Sequence, residues 1–206
     1  MDLLLWLSFV AASTALLLIP GPTVLLVLSY ALTQGRRVAL AMAAGVALGD
    51  LVAMTASLVG LGALVLTSAT LFVALKWAGA VYLVYLGIKL IRSAPARVNL
   101  ADTTPVAPRR IFIHAAGVTA LNPKSIAFFI AFVPQFIRPE AALAPQFAIL
   151  IATFVGLAAI NALAYALLAD RLRARITRPS VTILLSRIGG GALIAMGVAT
   201  AALRRQ

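Results

Sequence analysis

Two charged residues stand alone in long apolar stretches of this sequence. Asp50 is the only charged residue in positions 38–75, and Lys124 is the only one in positions 111–137. A charge near the middle of a membrane helix costs about 2.5 to 3.5 kcal/mol on insertion scales, so each group needs a partner, a proton or a function. A direct ion pair between them would satisfy both. Alternatively, Lys124 attracts the carboxylate of a zwitterion, while Asp50 faces its ammonium group or takes up a proton.

Prolines interrupt two of the apolar stretches near their middles. The first interruption is "IPGPT" at 19–23, and the second is "LNPKS" at 121–125. Pro20, Pro22 and Pro123 have no backbone N–H group, and each ring clashes with the carbonyl one turn earlier, so a helix must kink or unwind there. Either break by itself could be a simple kink.

The two breaks together predict a binding site. In lipid, the backbone groups that a break frees are tolerated only where they face protein or a wet cavity. Paired breaks at matching places in two halves of a chain indicate a transport site near the membrane midplane. We therefore expect substrate contacts from the residues at the breaks, which are Pro20, Gly21, Pro22, Asn122, Pro123 and Lys124.

Composition places these features in a membrane protein. Of the 206 residues, 63% are hydrophobic and 11% are charged, and the mean hydropathy is +1.08. The uncharged stretches exceed the roughly 20 residues that span the hydrocarbon layer. The first stretch lacks the basic start and small-residue cleavage site of a signal peptide, so we expect it to be a permanent span.

Charges and turn residues divide the chain into six predicted helices. They cover about 3–34, 38–66, 70–91, 111–137, 145–169 and 179–203. We expect an all-α integral membrane protein in which the first and fourth helices are broken near the midplane. A polar linker at 93–110 separates a first three-helix unit, 1–92, from a second one, 111–206.

The distribution of Lys and Arg predicts the orientation. Eleven of these residues lie in or beside the connections that follow helices 1, 3 and 5, and three lie on the opposite side. The positive-inside rule makes the three basic connections cytoplasmic, with both termini outside. The net charge of +12 is then explained by topology and lipid headgroups, and no basic soluble domain suggests nucleic-acid binding.

The two halves repeat each other at a fixed offset. "GVALGD" at 45–50 falls on "GLAAIN" at 156–161, and "KWAGA" from Lys76 falls on "RIGGG" from Arg187. Both shifts are 111 residues, and three spans per unit would make the second unit enter the membrane from the opposite side. This pattern is typical of the inverted repeats of secondary transporters. It also places Asn161 at the counterpart position of Asp50, so we count Asn161 among the substrate-binding candidates.

The motifs around these positions resemble one family. "PGP" in helix 1, "GVALGD" in helix 2 and "ALNPKSIAFFIAFVPQF" in helix 4 resemble the lysine exporter / homoserine resistance family of bacterial amino-acid exporters. The resemblance covers nearly the whole chain and implies an exporter of amino acids or related metabolites in the bacterial cytoplasmic membrane, in exchange for protons. The matching positions are Pro20, Gly21, Pro22, Asp50, Asn122, Pro123 and Lys124. Substrates vary within the family, so the motifs do not select one.

These observations lead to one functional hypothesis and two alternatives. We expect a proton-coupled, multi-pass inner-membrane exporter of an amino acid or close derivative that works by alternating access, with Asp50 coupling transport to protons. The alternatives are a passive channel for small solutes or ions and a non-transporting membrane assembly subunit. The sequence has no cysteine and shows no hydrolase, phosphate-loop or metal motif, so we expect neither an enzyme nor a cofactor. Membrane lipid and protons are the expected partners besides the substrate, and a homo-oligomer is left open.

Overall fold

A computed structural model shows an all-helical chain. It describes residues 2–19, 21–67, 69–92, 105–138, 141–176 and 179–202. The helices are α1 (Leu3–Leu18), α2 (Pro22–Gln34), α3 (Ala39–Thr67), α4 (Ala69–Arg92), α5 (Pro108–Ala120), α6 (Pro123–Ala131), α7 (Leu143–Ile176) and α8 (Pro179–Ala202). Short 3-10 turns occupy Arg36–Val38 and Val133–Phe136. The expected helical class is confirmed, since the described ranges contain no strand.

Three of these segments have the length and apolarity of membrane spans. Arg36–Gly62 and Leu143–Ala169 are each long and apolar enough to cross a bilayer. α1 and α2 form a third such unit if the bent pair is counted as one span, with an angle of 56° between them. In the described part of the chain, the structure thus has two candidate spans, or three with the bent pair.

Both expected helix breaks are present, and local chemistry explains where each new helix begins. Gly21 is extended and precedes Pro22, the first residue of α2. Asn122 is also extended and precedes Pro123, the first residue of α6. Proline suits the first position of a helix because its missing N–H group would have no helical partner there. Pro20 lies outside the described residues.

Two helix boundaries differ from the expected ones. α5 begins at Pro108, within the segment assigned to the linker, because proline starts a helix readily. α7 continues to Ile176 instead of stopping at 169. Arg171, Arg173 and Arg175 therefore extend the helix and do not lie in a connection, which agrees with the good helix propensity of Leu, Ala and Arg.

Glycines allow the closest helix contacts. A Cβ atom at Gly45 would approach the carbonyl of Phe112, and one at Gly49 would lie 2.6 Å from the carbonyl oxygen of Ala116. α3 therefore packs almost backbone to backbone on α5, as the small-residue spacing of Gly45 and Gly49 predicts. α4 and α8 approach each other in the same way, at Gly87 and Gly190.

Aromatic packing sets the rotation of α6 about its axis. Phe128 and Phe129 are fully buried, and the Phe129 ring lies 4.8 Å from the ring of Phe154 on α7, centroid to centroid. Lys124 and Ser125 precede these two rings by four residues and so lie on the same side of α6. The apolar contacts therefore aim Lys124 and Ser125 into the interior.

Candidate functional site

A small cavity lies among α1, α2, α3, α6 and α7, next to both helix breaks. Its polar lining consists of Thr23, Asp50, Asn122, Lys124, Ser125, Asn161 and Tyr165. Leu16, Val27 and Val46 are among its apolar walls. Its volume of about 20 Å³ has room for about one water molecule. The structure therefore shows a closed site without room for an amino acid.

Lys124 occupies the end of the first broken helix. Its Nζ atom donates to the carbonyl oxygens of Leu16 and Ile19, at 3.0 and 2.9 Å. The last carbonyls of a helix lack helical partners and carry partial negative charge, so an ammonium group is well placed there. Gly21 permits this approach, because a Cβ atom at Gly21 would lie only 3.3 Å from Nζ.

Two side chains of α7 reach the carbonyls of Leu17 and Leu18, the next groups along α1. Asn161 Nδ2 donates to the Leu17 carbonyl oxygen at 3.2 Å, and the Tyr165 hydroxyl donates to that of Leu18 at 3.4 Å. Together with Lys124, they provide donors for the carbonyls of residues 16–19. Side chains from α6 and α7 thus satisfy the backbone carbonyls at the first break.

Asn122 caps the second break and ties it to the first. Its Oδ1 atom accepts a hydrogen bond from the Lys124 amide at 3.1 Å, and its Nδ2 atom donates to Thr23 Oγ1 at 3.1 Å. Thr23 Oγ1 also lies 3.4 Å from Thr119 Oγ1. These bonds join α2 to the α5–α6 break and form one wall of the cavity.

Asp50 is buried in the same cavity without a matching donor. The residue is 2% exposed, and its Oδ1 atom has no hydrogen-bond partner among the described residues. Lys124 and Asp50, both within the described ranges, form no salt bridge with each other. The direct ion pair considered from the sequence is therefore absent from this conformation, because the Lys124 ammonium group is turned toward α1.

The structure separates the proposed site residues into two groups. Asp50, Asn122, Lys124 and Asn161 all line the cavity, and a Cβ atom added at Gly21 would meet the Lys124 side chain. Pro22 and Pro123 instead face a groove on the outer surface. These two prolines shape the breaks without lining the closed cavity.

Thr23, Ser125 and Tyr165 line the cavity but were not among the residues expected from the sequence. The sequence position of each nevertheless relates it to a residue that was expected. Thr23 and Ser125 directly follow Pro22 and Lys124, and Tyr165 lies one helical turn beyond Asn161, on the same face. No group of three His, Cys, Asp or Glu side chains that could hold a metal ion occurs within the described ranges.

Comparisons with known proteins identify the family. A family model described as "LysE type translocator" matches residues 14–204. The homoserine/homoserine lactone efflux protein of Salmonella typhimurium is 35% identical over 200 residues, which cover 97% of each chain. An uncharacterized membrane protein of Vibrio cholerae is 31% identical over 198 residues, or 96% of this chain and 97% of that one.

A leucine efflux protein of Enterobacter sp. is 34% identical over 135 residues, which cover 65% of this chain and 64% of that protein. No solved structure matches the chain. The resemblance seen in the three sequence motifs is thus confirmed by a match over almost the full length. This chain belongs to the LysE-type translocator family.

Proposed function

We propose that this protein exports an amino acid or a close derivative from the bacterial cytoplasm, in exchange for protons. Family membership supports transport, and relatives named for the efflux of homoserine, its lactone and leucine support the substrate class. One observation carries the assignment to the cavity. An ammonium group and a carboxyl group whose Oδ1 atom has no hydrogen-bond partner among the described residues line one small cavity at the helix breaks.

In this proposal, the substrate carboxylate binds Lys124 in place of the α1 carbonyls. A carboxylate forms a charge-assisted hydrogen bond, which is roughly twice as strong as a neutral one. Asn122, Asn161 and the backbone at Gly21 supply further polar contacts around the same point. The backbone at Pro20, Pro22 and Pro123 contributes to binding once the break opens.

Asp50 couples transport to protons. A buried carboxylate without a hydrogen-bond donor is costly, so the group is best occupied by a proton or by the ammonium group of the substrate. Proton uptake by Asp50 when the substrate leaves would return the site to its closed form. The exchange of an ammonium group for a proton at one carboxyl group is the basis of the proposed antiport.

The small size of the cavity supports a mechanism of alternating access. The volume of about 20 Å³ must grow before an amino acid can enter. The α1–α2 and α5–α6 breaks are the places where the backbone can bend with the least loss of hydrogen bonds. We propose that the segments on either side of these breaks move to expose the cavity to one side of the membrane at a time.

The proposed frame has six spans in two inverted units. α1–α2, α3 and α4 form the first unit, 1–92, and α5–α6, α7 and α8 form the second, 111–206, with the cytoplasmic linker 93–110 between them. α4 and α8 have 24 residues each and reach about 36 Å at 1.5 Å per residue, enough to cross about 30 Å of hydrocarbon. The bacterial inner membrane is the proposed location.

Transport in proteoliposomes tests the role of Asp50. The Asp50→Asn variant keeps the shape of the side chain and removes its charge and titration. We therefore expect substrate exchange to persist with weaker binding of the ammonium group, while an imposed pH gradient no longer drives net export. The measurement is uptake of labelled amino acids into inside-out proteoliposomes, with and without the gradient. A variant that couples to the gradient like the parent would refute the assignment.

The same vesicles separate a carrier from a passive channel. A carrier saturates with substrate and shows counterflow, in which unlabelled substrate on one side drives accumulation of labelled substrate from the other. A screen of homoserine, homoserine lactone, leucine, threonine and lysine as counterflow substrates would define the specificity. Flux without saturation or counterflow would favour the channel, and no flux of any kind would favour an assembly subunit.

A further inference from the structure

An apolar groove of about 510 Å³ runs along the outer surface of α5 and ends beside both helix breaks. Ile113, Gly117, Val118 and Leu121 form its length, and Pro22 and Pro123 lie at its inner end. Leu121 is 78% exposed and Ile113 is 55% exposed. In a membrane, such a surface faces lipid chains instead of water.

A hydrogen-bonding group, His114, lies at the other end of this groove, and a basic group, Arg110, lies one helical turn beyond it. Arg110, His114, Gly117 and Leu121 follow the spacing of one helical face on α5. His114 lines the groove, and its Nδ1 atom lies 2.9 Å from the hydroxyl oxygen of Tyr30. When Tyr30 donates this hydrogen bond, the neutral imidazole carries its proton on Nε2 and can donate to an anion.

The distance from Arg110 to the inner end of the groove matches one membrane leaflet. Arg110 and Leu121 are 11 positions apart on the sequence, or about 16 Å along a helix at 1.5 Å per residue. Half of a hydrocarbon core is about 15 Å thick. An acyl chain whose headgroup lies at Arg110 would therefore reach the breaks at the inner end of the groove.

We propose that this groove binds one anionic phospholipid. The phosphate contacts Arg110 and His114, and one acyl chain lies over Gly117 and ends against Pro22 and Pro123. Charge complementarity selects an anionic headgroup, since Arg109 and Arg110 open the helix and are exposed. The proposal depends on the membrane placement of α5 and does not depend on the transport mechanism.

The lipid would lie against the wall that closes the transport cavity. Asn122 lines the groove on one side and the cavity on the other, and its side chain bonds to Thr23 across the two breaks. An acyl chain packed on this wall supports the closed arrangement. Loss of the lipid should therefore destabilise the purified protein.

A pair of glycine variants tests the groove. A Cβ atom at Gly117 would meet no protein atom within 4 Å, and the same holds for Gly156 on α7. Both glycines are exposed. In Gly117→Leu the new Cβ atom therefore enters open space and the side chain extends into the groove, and Gly156→Leu places the same side chain at an exposed position outside the groove as the matched control.

The measurement is native mass spectrometry of the full chain in detergent with added phosphatidylglycerol or phosphatidylcholine, together with the unfolding midpoint in each lipid. We expect the parent and Gly156→Leu to retain phosphatidylglycerol in preference to phosphatidylcholine and to be stabilised by it. Gly117→Leu should bind it about tenfold more weakly. Arg110→Gln should reduce the headgroup preference about fivefold, the effect of one basic contact.

Several results would overturn the proposal. Equal retention of the two lipids by the parent would exclude selection of an anionic headgroup, and undiminished binding by Gly117→Leu would exclude an acyl site in the groove. Glycerol 3-phosphate that stabilises the parent as well as the lipid does would indicate a phosphate site without a chain. A parent dimer that Gly117→Leu converts to a monomer would show that a second copy occupies the groove. If Gly117→Leu does not fold, Arg110→Gln decides the question.

Discussion

Lys124 contacts α1 in the structure and is proposed to bind substrate, and these two roles can be separated by substitution. In the closed site its ammonium group satisfies the α1 carbonyls of Leu16 and Ile19, and in the proposed loaded site it binds the substrate carboxylate. The first task needs a hydrogen-bond donor, whereas the second needs a positive charge. A polar neutral residue and an apolar residue should therefore fail in different ways.

We predict that Lys124→Met loses both export and stability. The Leu16 carbonyl keeps the amide of Ile19 as a donor, but the buried Ile19 carbonyl is left unpaired, which costs about 1 to 3 kcal/mol. Lys124→Gln retains a donor, so it should recover part of this stability without recovering export. Thermal unfolding in detergent and counterflow in proteoliposomes measure the two effects.

The two outcomes for Lys124 point to different conclusions. If Lys124→Gln supports counterflow like the parent, the positive charge is not needed to bind substrate. If Lys124→Met unfolds at the temperature of the parent, the contacts with α1 do not stabilise the closed site.

At the scale of helices, close packing on α3 holds the site together. Asp50 follows directly after Gly49, whose missing side chain lets α3 lie against α5 at Ala116 and Thr119. The same contact places Thr119 near Thr23 at the α2 end of the cavity wall. The position of the buried carboxyl group thus depends on a helix approach that only glycine allows.

Gly49→Ala should destabilise the protein because the added Cβ would lie 2.6 Å from the Ala116 carbonyl oxygen. Overpacking of this kind costs about 1 to 3 kcal/mol. Gly60→Ala, in the same helix, is the control, since a Cβ there meets nothing within 4 Å, and the alanine should stabilise the helix by about 0.5 to 1 kcal/mol. Unfolding midpoints of the two variants that shift equally would contradict the packing argument.

At the scale of the whole molecule, contacts between distant segments join the ends of the α1–α2 pair to the ends of the α5–α6 pair. Arg138 forms a salt bridge with Asp2 at 3.1 Å, so the start of α1 and the segment after α6 share one end of the bundle. Gln34 accepts a hydrogen bond from the amide of Val106 at 3.0 Å, which joins the end of α2 to the segment before α5. Both contacts agree with opposite chain directions of the α1–α2 pair and the α5–α6 pair.

This arrangement, with the charge distribution, predicts which end faces the cytoplasm. Since the sequence has no cysteine, Arg138→Cys and Arg37→Cys each introduce a single labelling site at an exposed position. A membrane-impermeant maleimide added to spheroplasts should label the Arg138→Cys variant at once and the Arg37→Cys variant only after lysis. The reverse order of labelling would invert the proposed topology.

The sequence by itself determined the helical class, most helix boundaries and both breaks, because these depend on local properties. Hydropathy determines the lengths of the apolar segments, and a proline removes one backbone hydrogen-bond donor and breaks a helix in whose interior it stands. It also singled out Asp50, Asn122 and Lys124, since a polar group in an apolar stretch is conspicuous without knowledge of its neighbours, and the internal repeat added Asn161 as the counterpart of Asp50. The extension of α7 to Ile176 was missed because charged residues can continue a helix beyond its apolar part.

Only the tertiary structure decided what these groups touch. The sequence allowed Lys124 to pair with Asp50, but the rotation of α6, held by Phe128 and Phe129 against α7, turns the ammonium group to the α1 carbonyls. The packing of the helices also brings Tyr165 and Thr23 to the cavity and leaves the cavity a volume of about 20 Å³. These contacts depend on how helices that are far apart in the chain pack side by side, and no local pattern of residues contains that information.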